Sequence, residues 1–375
     1  MKKISIIWIL LYSNWLMADV SYWKGKVGHA QIYMELDCEP SKVEAKAYKE
    51  CENAGIRYFY RSSLVDIMLT EPNKDKTSSY EIKVQKTDYD DKVQEEFKLH
   101  YHKDKLYGIW KNQKKKLDVQ LTRIPNLKDW EDFTKLRESF YRYKRDKIVK
   151  FKANKELVLI REKYSNTLLF RLGNRFLSQS RNALNPILDK IQKKSSTFVL
   201  ECVSALTYGS GVEQISGDIE YLSSNLLGYI EKSSYYCGGA HPDFYVIHQL
   251  YDLHTGKVYQ LDDLIDFDKI PLKDKNSSDE IDTIKAKKLR WLGFKAKNIP
   301  LKPNKKQEEE MGYDPYDLIF WQYIEWAYEK DGIRIYLNFP AYLRCYRGDK
   351  DESFFIPFEM LQQYKNNKFP YPFGK

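Results

Sequence analysis

The chain has 375 residues, which is long enough for two domains with separate hydrophobic cores. Its 42% hydrophobic and 31% charged residues are typical of a globular protein and exclude a disordered chain. The formal net charge of +9, from 62 basic and 53 acidic residues, is a modest excess.

The N-terminus has the pattern of a secretory signal peptide. Lys2 and Lys3 precede an apolar stretch over residues 4–17, and the small residue Ala18 follows it. A membrane anchor and a buried helix are the alternative interpretations. No later stretch reaches the ~20 apolar residues of a membrane span. The pattern predicts cleavage near Ala18 of a signal peptide over residues 1–18, and a periplasmic or secreted protein without a membrane span or a nucleic-acid partner.

Export changes the expectation for the five cysteines, because disulfides persist outside the cytoplasm. Two disulfides would leave one free thiol. Proximity in sequence favours Cys38 with Cys51, and neighbouring loop signals favour Cys237 with Cys345, leaving Cys202 buried in a strand. A Cys202–Cys237 pair is the close alternative. No CxxC motif occurs, so we expect no metal site and no cofactor.

Residues 19–124 are predicted to form an antiparallel β-rich domain, because short alternating segments are separated by polar turns. Ile32, Met34 and Leu36 alternate in this way, which indicates a strand with one buried face. The regular spacing of the strands favours a small meander or barrel. Further predicted strands lie near residues 57–60, 67–69, 97–99, 106–110 and 117–124.

Residues 125–150 are predicted to form a helical connector between the domains. Trp130, Phe133, Leu136 and Phe140 recur at helical spacing. The basic run over residues 142–147 fits a solvated helix face better than a site for an anionic polymer.

Residues 151–375 are predicted to form an α+β domain, with a mixed or antiparallel sheet and flanking helices. The segment 320–328 fits either a helix or a strand, and a hairpin preceded by a short helical turn is favoured because Asp331-Gly332 is a hairpin signal. The other predicted elements are strands at 157–160, 198–208, 219–236 and 244–253, a helix starting at Asn185-Pro186, a helix from 281, and a last helix over 358–364.

The segment Cys237-Gly-Gly-Ala-His-Pro-Asp243 is predicted to be a fixed, exposed bend. Gly238 and Gly239 permit positive φ angles, and Pro242 holds His241 extended. The side chains of His241, Asp243 and Tyr245 are the candidate binding residues. In the alternative interpretation the bend is structural, and His241 donates a hydrogen bond that pins the chain reversal.

This segment, with Thr255-Gly256-Lys257 and Leu261-Asp262-Asp263-Leu264, resembles a C-terminal domain of unknown function. The lysozyme-sensing anti-sigma factor of Gram-positive bacteria and a membrane-anchored peptidoglycan deacetylase share that domain. The resemblance covers about residues 150–365, and it implies an α+β fold and binding of lysozyme or another cell-wall hydrolase. Residues 25–36, 55–60 and 108–110 resemble a module found ahead of this domain in exported Gram-negative proteins.

The sequence lacks the patterns that catalysis would require. Metal-dependent deacetylation needs paired Asp and two His at helical spacing, and the six histidines offer no such pair. His100 and His102 share a strand face, but isolated surface histidines are the favoured interpretation. No nucleophile motif is present. We therefore expect a non-catalytic binding protein. The alternatives are a peptidoglycan or envelope-glycan binding module and an enzyme acting on envelope polymers.

Four aspartates near the end of the resembling motif are predicted to form a local acidic patch, which would suit a basic partner. They are Asp262, Asp263, Asp266 and Asp268.

Overall fold

The computed structural model describes residues 20–37, 56–69, 82–87, 93–151, 154–204, 211–238, 241–271, 280–298, 314, 317–337, 339 and 353–374. The chain divides into two compact units, Met1–Ser139 and Phe140–Lys375. The predicted signal peptide, residues 1–18, and its cleavage position at Ala18 lie outside the described residues. In the described part of the chain, no helix is both long and apolar enough to cross a membrane.

In its described residues the first unit contains an antiparallel sheet of eight strands, in the order β4-β3-β2-β1-β8-β7-β6-β5. Two four-stranded meanders are joined where the first strand pairs with the last, and this confirms the predicted meander. The strands are β1 (Ser21–Val27), β2 (Ala30–Leu36), β3 (Ile56–Tyr60), β4 (Asp66–Leu69), β5 (Ile82–Thr87), β6 (Val93–His102), β7 (Lys105–Asn112) and β8 (Lys116–Arg123).

The sheet folds around one core. Ile32, Met34 and Leu36 of β2 are fully buried, as their alternation predicts. The rings of Tyr58 on β3 and Phe97 on β6 lie 5.1 Å apart, although the two strands belong to different meanders. Contact between strands so far apart in the sheet order requires the two meanders to face each other across the core.

A helix follows the sheet. α1 (Trp130–Glu138) begins at Asp129, whose side chain accepts the backbone N–H of Asp132. Phe133 packs against the rings of Tyr22 and Phe59, at centroid distances of 5.4 and 5.3 Å. The helix therefore packs on the first unit. It ends at Glu138, and residues 143–151 form a strand, so the basic run lies on a strand and not on the predicted helix face.

The second unit combines helices with three antiparallel sheets in its described residues, which confirms the α+β class. The first sheet contains β9 (Tyr143–Phe151), β10 (Lys155–Glu162) and β11 (Leu168–Leu172). The second contains β12 (Gly211–Leu222), β13 (Leu226–Tyr236), β14 (Asp243–Asp252) and β15 (Val258–Tyr259). The third contains β16 (Glu325–Tyr328), β17 (Gly332–Tyr336) and β18 (Phe354–Pro357).

The helices of this unit are α2 (Ser178–Ser204), α3 (Leu261–Leu264), α4 (Ile281–Lys297), α5 (Ile319–Gln322) and α6 (Phe358–Leu361), with 3-10 turns at Phe267–Lys269 and Gln362–Tyr364. The order of α5, β16 and β17 confirms the prediction for residues 320–328, which was a short helical turn followed by a hairpin. The predicted strand 244–253 and final helix are also confirmed.

Two predictions about the region of α2 are wrong. α2 begins at Ser178 and carries Pro186 inside it, so Asn185 is not its cap. The Asn185 side chain instead accepts the N–H of Leu172 and donates to its carbonyl, at 2.8 and 3.2 Å. The predicted strand 198–208 is helical to Ser204, because burial of Leu188 and Leu200 outweighs local strand propensity.

The predicted strand 219–236 is also interrupted. It spans the turn between β12 and β13, where the Ser223 hydroxyl accepts the N–H groups of Asn225 and Leu226. Serine turns of this kind are a weaker signal than glycine or proline.

A disulfide joins Cys202 near the end of α2 to Cys237 just after β13. A cysteine forms only one such bond, so the favoured pairing of Cys237 with Cys345 is wrong and the alternative is correct. The error follows from assigning Cys202 to a strand, because the end of a helix brings it to the loop instead. Cys38, Cys51 and Cys345 lie outside the described residues, and the Cys38–Cys51 pair stays a prediction.

Candidate ligand-binding cleft

The predicted binding segment leads into β14, which begins at Asp243. Gly238 has a φ of 99°, as a glycine bend requires, while Gly239 lies outside the described residues. His241 is exposed, and its Nδ1 lies 2.9 Å from the carbonyl oxygen of Pro242, which is consistent with a local hydrogen bond. Asp243 accepts the backbone N–H of Phe244 at 2.8 Å.

Tyr245, the third predicted residue, faces a cleft of about 600 Å³. We call this the His248 cleft. It lies between β14, α5 with the segment after it, and β17. Its lining residues are Tyr245, Val246, Ile247, His248, Gln322, Tyr323, Ile324, Glu325, Tyr336 and Leu337. His241 and Asp243 are not among them, so the three predicted residues do not form one site in the described structure.

His248 is the central polar side chain of the cleft. Its side chain is only 2% exposed, and its ring stacks on Tyr336 with centroids 4.6 Å apart and planes 9° from parallel. Nδ1 lies 2.7 Å from a carboxylate oxygen of Glu220. Because a carboxylate accepts, Nδ1–H donates and this bond fixes the ring tautomer. Nε2 is buried and has no hydrogen-bond partner among the described residues.

An irregularity in the pairing of β12 with β13 sets the position of Glu220. The pairing shifts between Ile219 and Tyr221, so Glu220 is the extra residue of a β-bulge. Bulges redirect side chains and are frequent beside binding sites. Here the bulge lets Glu220 reach past β13 to His248 on β14.

Glu325 is the second carboxylate of the cleft. It accepts the backbone N–H of His248 at 3.3 Å, and burial raises its pKa above the ordinary carboxyl range. Within the described residues, no lysine or arginine lies at ion-pair distance from Glu325. Electrostatic attraction to the neighbouring His248 partly opposes the rise in the pKa of Glu325.

Tyrosine rings form much of the wall. The Tyr245 hydroxyl donates to Glu231 at 2.8 Å, and Tyr229 donates to the other oxygen of the same carboxylate at 2.9 Å. Burial raises the pKa of Tyr245, so its phenol stays protonated and holds the ring in place. Tyr323 is 71% exposed at the mouth.

The predicted acidic patch is largely neutralised by lysines. Asp262 pairs with Lys285, Asp263 with Lys257 at 3.2 Å, and Asp266 with Lys269 at 3.1 Å. The patch prediction is therefore wrong, because charge runs in sequence do not reveal which lysines fold over them. Asp268 is exposed.

In the part of the chain that the structure describes, no group of three or more His, Cys, Asp or Glu side chains is arranged to hold a metal ion. His100 and His102 lie exposed on β6.

Glu220, His248, Glu325 and Tyr336 are not among the site residues predicted from the sequence. One signal was available, because His248 falls in the same phase of the predicted strand as Leu250. A histidine on the inward face of a strand needs a polar partner, and that requirement makes it a candidate site residue.

The described fold and cleft define a two-unit α+β protein with an aromatic, carboxylate-containing cleft in its second unit. No family model and no curated protein matches the chain. A crystal structure of a member of the DUF3298 family from Bacteroides fragilis is similar, with 16% identity and a TM-score of 0.32, over 60% of this chain and 94% of that chain.

Proposed function

We propose that the chain is an exported, non-catalytic binding protein of the cell envelope, and that its partner is lysozyme or another cell-wall hydrolase. The observation that carries the binding function is the open His248 cleft, with tyrosine walls, a hydrogen-bonded histidine, and a carboxylate that has no lysine or arginine partner among the described residues. Concave, mostly apolar sites with a few placed polar groups are the usual form of binding sites.

Two further observations support this proposal. The Cys202–Cys237 disulfide suits an oxidising compartment, as the signal-peptide pattern over residues 1–18 predicts. The motif resemblance at residues 238–264 supplies the class of partner. Asp243 is the first residue of the strand that carries Tyr245, and His241 lies two residues before it, so a protein partner that binds the cleft would reach them as well.

The test is a pull-down of residues 19–375 with purified lysozyme at low and high salt. We expect co-purification that weakens when His248→Gln or Tyr245→Ala alters the cleft. Asp268→Asn is the control, since it changes an exposed carboxylate outside the lining. Absence of co-purification at both salt concentrations would contradict lysozyme as the partner.

An envelope glycan such as peptidoglycan is the second candidate. The specific observation in its favour is Tyr323, a ring that is 71% exposed at the mouth of the cleft. Exposed rings at pocket mouths present an apolar face with a polar tip. Sedimentation with insoluble peptidoglycan that is lost in Tyr323→Ala, without lysozyme binding, would favour this candidate over the first.

A further inference from the structure

The His248 cleft offers hydrogen-bond acceptors without matching donors. Glu220 occupies Nδ1 of His248, so in the neutral ring Nε2 presents a lone pair, and this atom has no partner among the described residues. The Glu325 carboxylate accepts a single backbone N–H. A buried acceptor left without a donor carries a desolvation penalty. The ligand that suits the cleft therefore brings N–H or O–H donors.

The charge of the cleft restricts the ligand further. None of its lining residues is a lysine or an arginine. Arg334, a basic residue of β17, forms a bidentate pair with Glu329, at 2.6 and 3.3 Å. Glu325 is thus a partly buried carboxylate that pairs with no lysine or arginine among the described residues. An anionic ligand would meet repulsion, whereas a cation would supply the missing partner.

The aromatic side chains that line the cleft also favour a cationic ligand. The rings of Tyr245, Tyr323 and Tyr336 line the cleft, and the faces of aromatic rings attract cations. The hydroxyl of Tyr245 already donates to Glu231, so this residue contributes its ring and not a free donor. Aromatic rings around a carboxylate are a common arrangement for binding ammonium and guanidinium groups.

We propose that the His248 cleft is a subsite for a cationic side chain, a lysine ammonium or an arginine guanidinium, carried by a basic protein partner. The group donates to the Glu325 carboxylate and to Nε2 of His248, while the tyrosine rings cover its alkyl stem. This inference rests on the proposed binding function and defines its chemistry. It also explains how a chain with a net charge of +9 can hold a basic partner, because the recognition is local.

The test uses small probes, so it does not depend on the partner. Residues 19–375 are titrated by NMR with Nα-acetyl-lysine amide, with the uncharged Nα-acetyl-norleucine amide, and with N-acetylglucosamine. We expect saturable binding of the lysine probe at tens of millimolar or below, which is the range of a single weak subsite. The norleucine probe and the sugar should bind much more weakly.

The decisive variant is Glu325→Gln, which keeps the shape and the backbone hydrogen bond but removes the charge. We expect it to weaken binding of the lysine probe about tenfold, as loss of a charge-assisted hydrogen bond does. Asp268→Asn removes the same charge from an exposed site and should leave binding unchanged. Equal binding of the norleucine probe, an unaffected Glu325→Gln variant, or no saturation by the lysine probe would each overturn the proposal.

The experiments distinguish failure of the lysozyme proposal from failure of the cationic-subsite proposal. If lysozyme co-purifies but the lysine probe does not bind, only the cationic subsite is wrong. If the probe binds and lysozyme does not, the subsite stands and the partner is a different basic protein. If N-acetylglucosamine binds and competes with the lysine probe, the cleft is a sugar site and the subsite proposal is overturned.

Discussion

Glu220 on β12 and Nδ1 of His248 on β14 lie 2.7 Å apart, with β13 between their strands. The bulge at Glu220 makes this reach possible. We expect Glu220→Ala to release His248 from the Nδ1–H tautomer, because no other described acceptor contacts Nδ1. Ring nitrogen shifts from NMR measure the tautomer directly.

Glu213→Gln is the matched control for that prediction, since it changes another carboxylate of β12 that does not touch His248. If the His248 nitrogen shifts are the same in wild type and Glu220→Ala, the carboxylate does not set the tautomer.

The raised pKa of Glu325 makes the free energy of unfolding depend on pH. Burial raises its folded-state pKa, so the folded protein binds this proton more tightly than the unfolded chain. The stabilisation is complete below the ordinary carboxyl range and is lost as pH rises through the folded pKa. Glu325→Gln is uncharged throughout. It should therefore have a higher free energy of unfolding than wild type near pH 7.5 and no such advantage near pH 3.

Denaturant unfolding at the two pH values checks this difference. Asp268→Asn should show no comparable gain at pH 7.5, because its carboxylate is exposed. If Glu325→Gln is instead less stable than wild type at neutral pH, the folded protein itself stabilises the ionised carboxylate, and the carboxylate does not need a bound cation.

The Cys202–Cys237 disulfide closes a loop with a sequence separation of 35 residues. The chain-entropy model gives a stabilisation of about 3–4 kcal/mol for a loop of that size. We expect the double variant Cys202→Ser/Cys237→Ser to lose about this free energy of unfolding in the second unit. Peptide mapping of the oxidised wild type is the accompanying measurement, and a Cys237–Cys345 peptide would contradict the pairing.

Gly108 of β7 allows the close approach of β6. A Cβ atom added at Gly108 would lie 1.8 Å from the backbone carbonyl oxygen of Lys98, which cannot rotate away. Gly108→Ala should therefore force the two strands apart and destabilise the first unit by about 1–3 kcal/mol, the usual cost of overpacking. Thermal unfolding measures the loss. Tyr107→Phe, at the exposed neighbouring position, should leave the midpoint nearly unchanged.

Much of the first unit could be predicted because its signals are local. Alternating side chains such as Ile32, Met34 and Leu36 indicate both a strand and the face that it buries. The hairpin at Asp331-Gly332 was predictable for the same reason, because turn chemistry acts over four residues. β5 was missed, since polar residues dominate it and the alternation is weak.

Long-range contacts account for the predictions that were wrong. Pro186 usually marks a helix start, but in α2 the buried contacts of Leu184 and Leu188 outweigh one lost backbone hydrogen bond. The partners of Cys237 and of the aspartates at 262–266 depend on which distant segments fold beside them.

The sequence by itself determined the class of the protein, most of its strands, and the bend at Gly238, because periodicity and turn chemistry are properties of neighbouring residues. Only the tertiary structure decided the cleft. Glu220, His248 and Glu325 come from three strands separated by up to 105 positions. The sheet register and the bulge bring Glu220 to His248, and contact between two different sheets brings Glu325 to them. Nε2 of His248 without a hydrogen-bond partner, and Glu325 without a lysine or arginine beside it, are features of the described residues that arise only when those strands pack together.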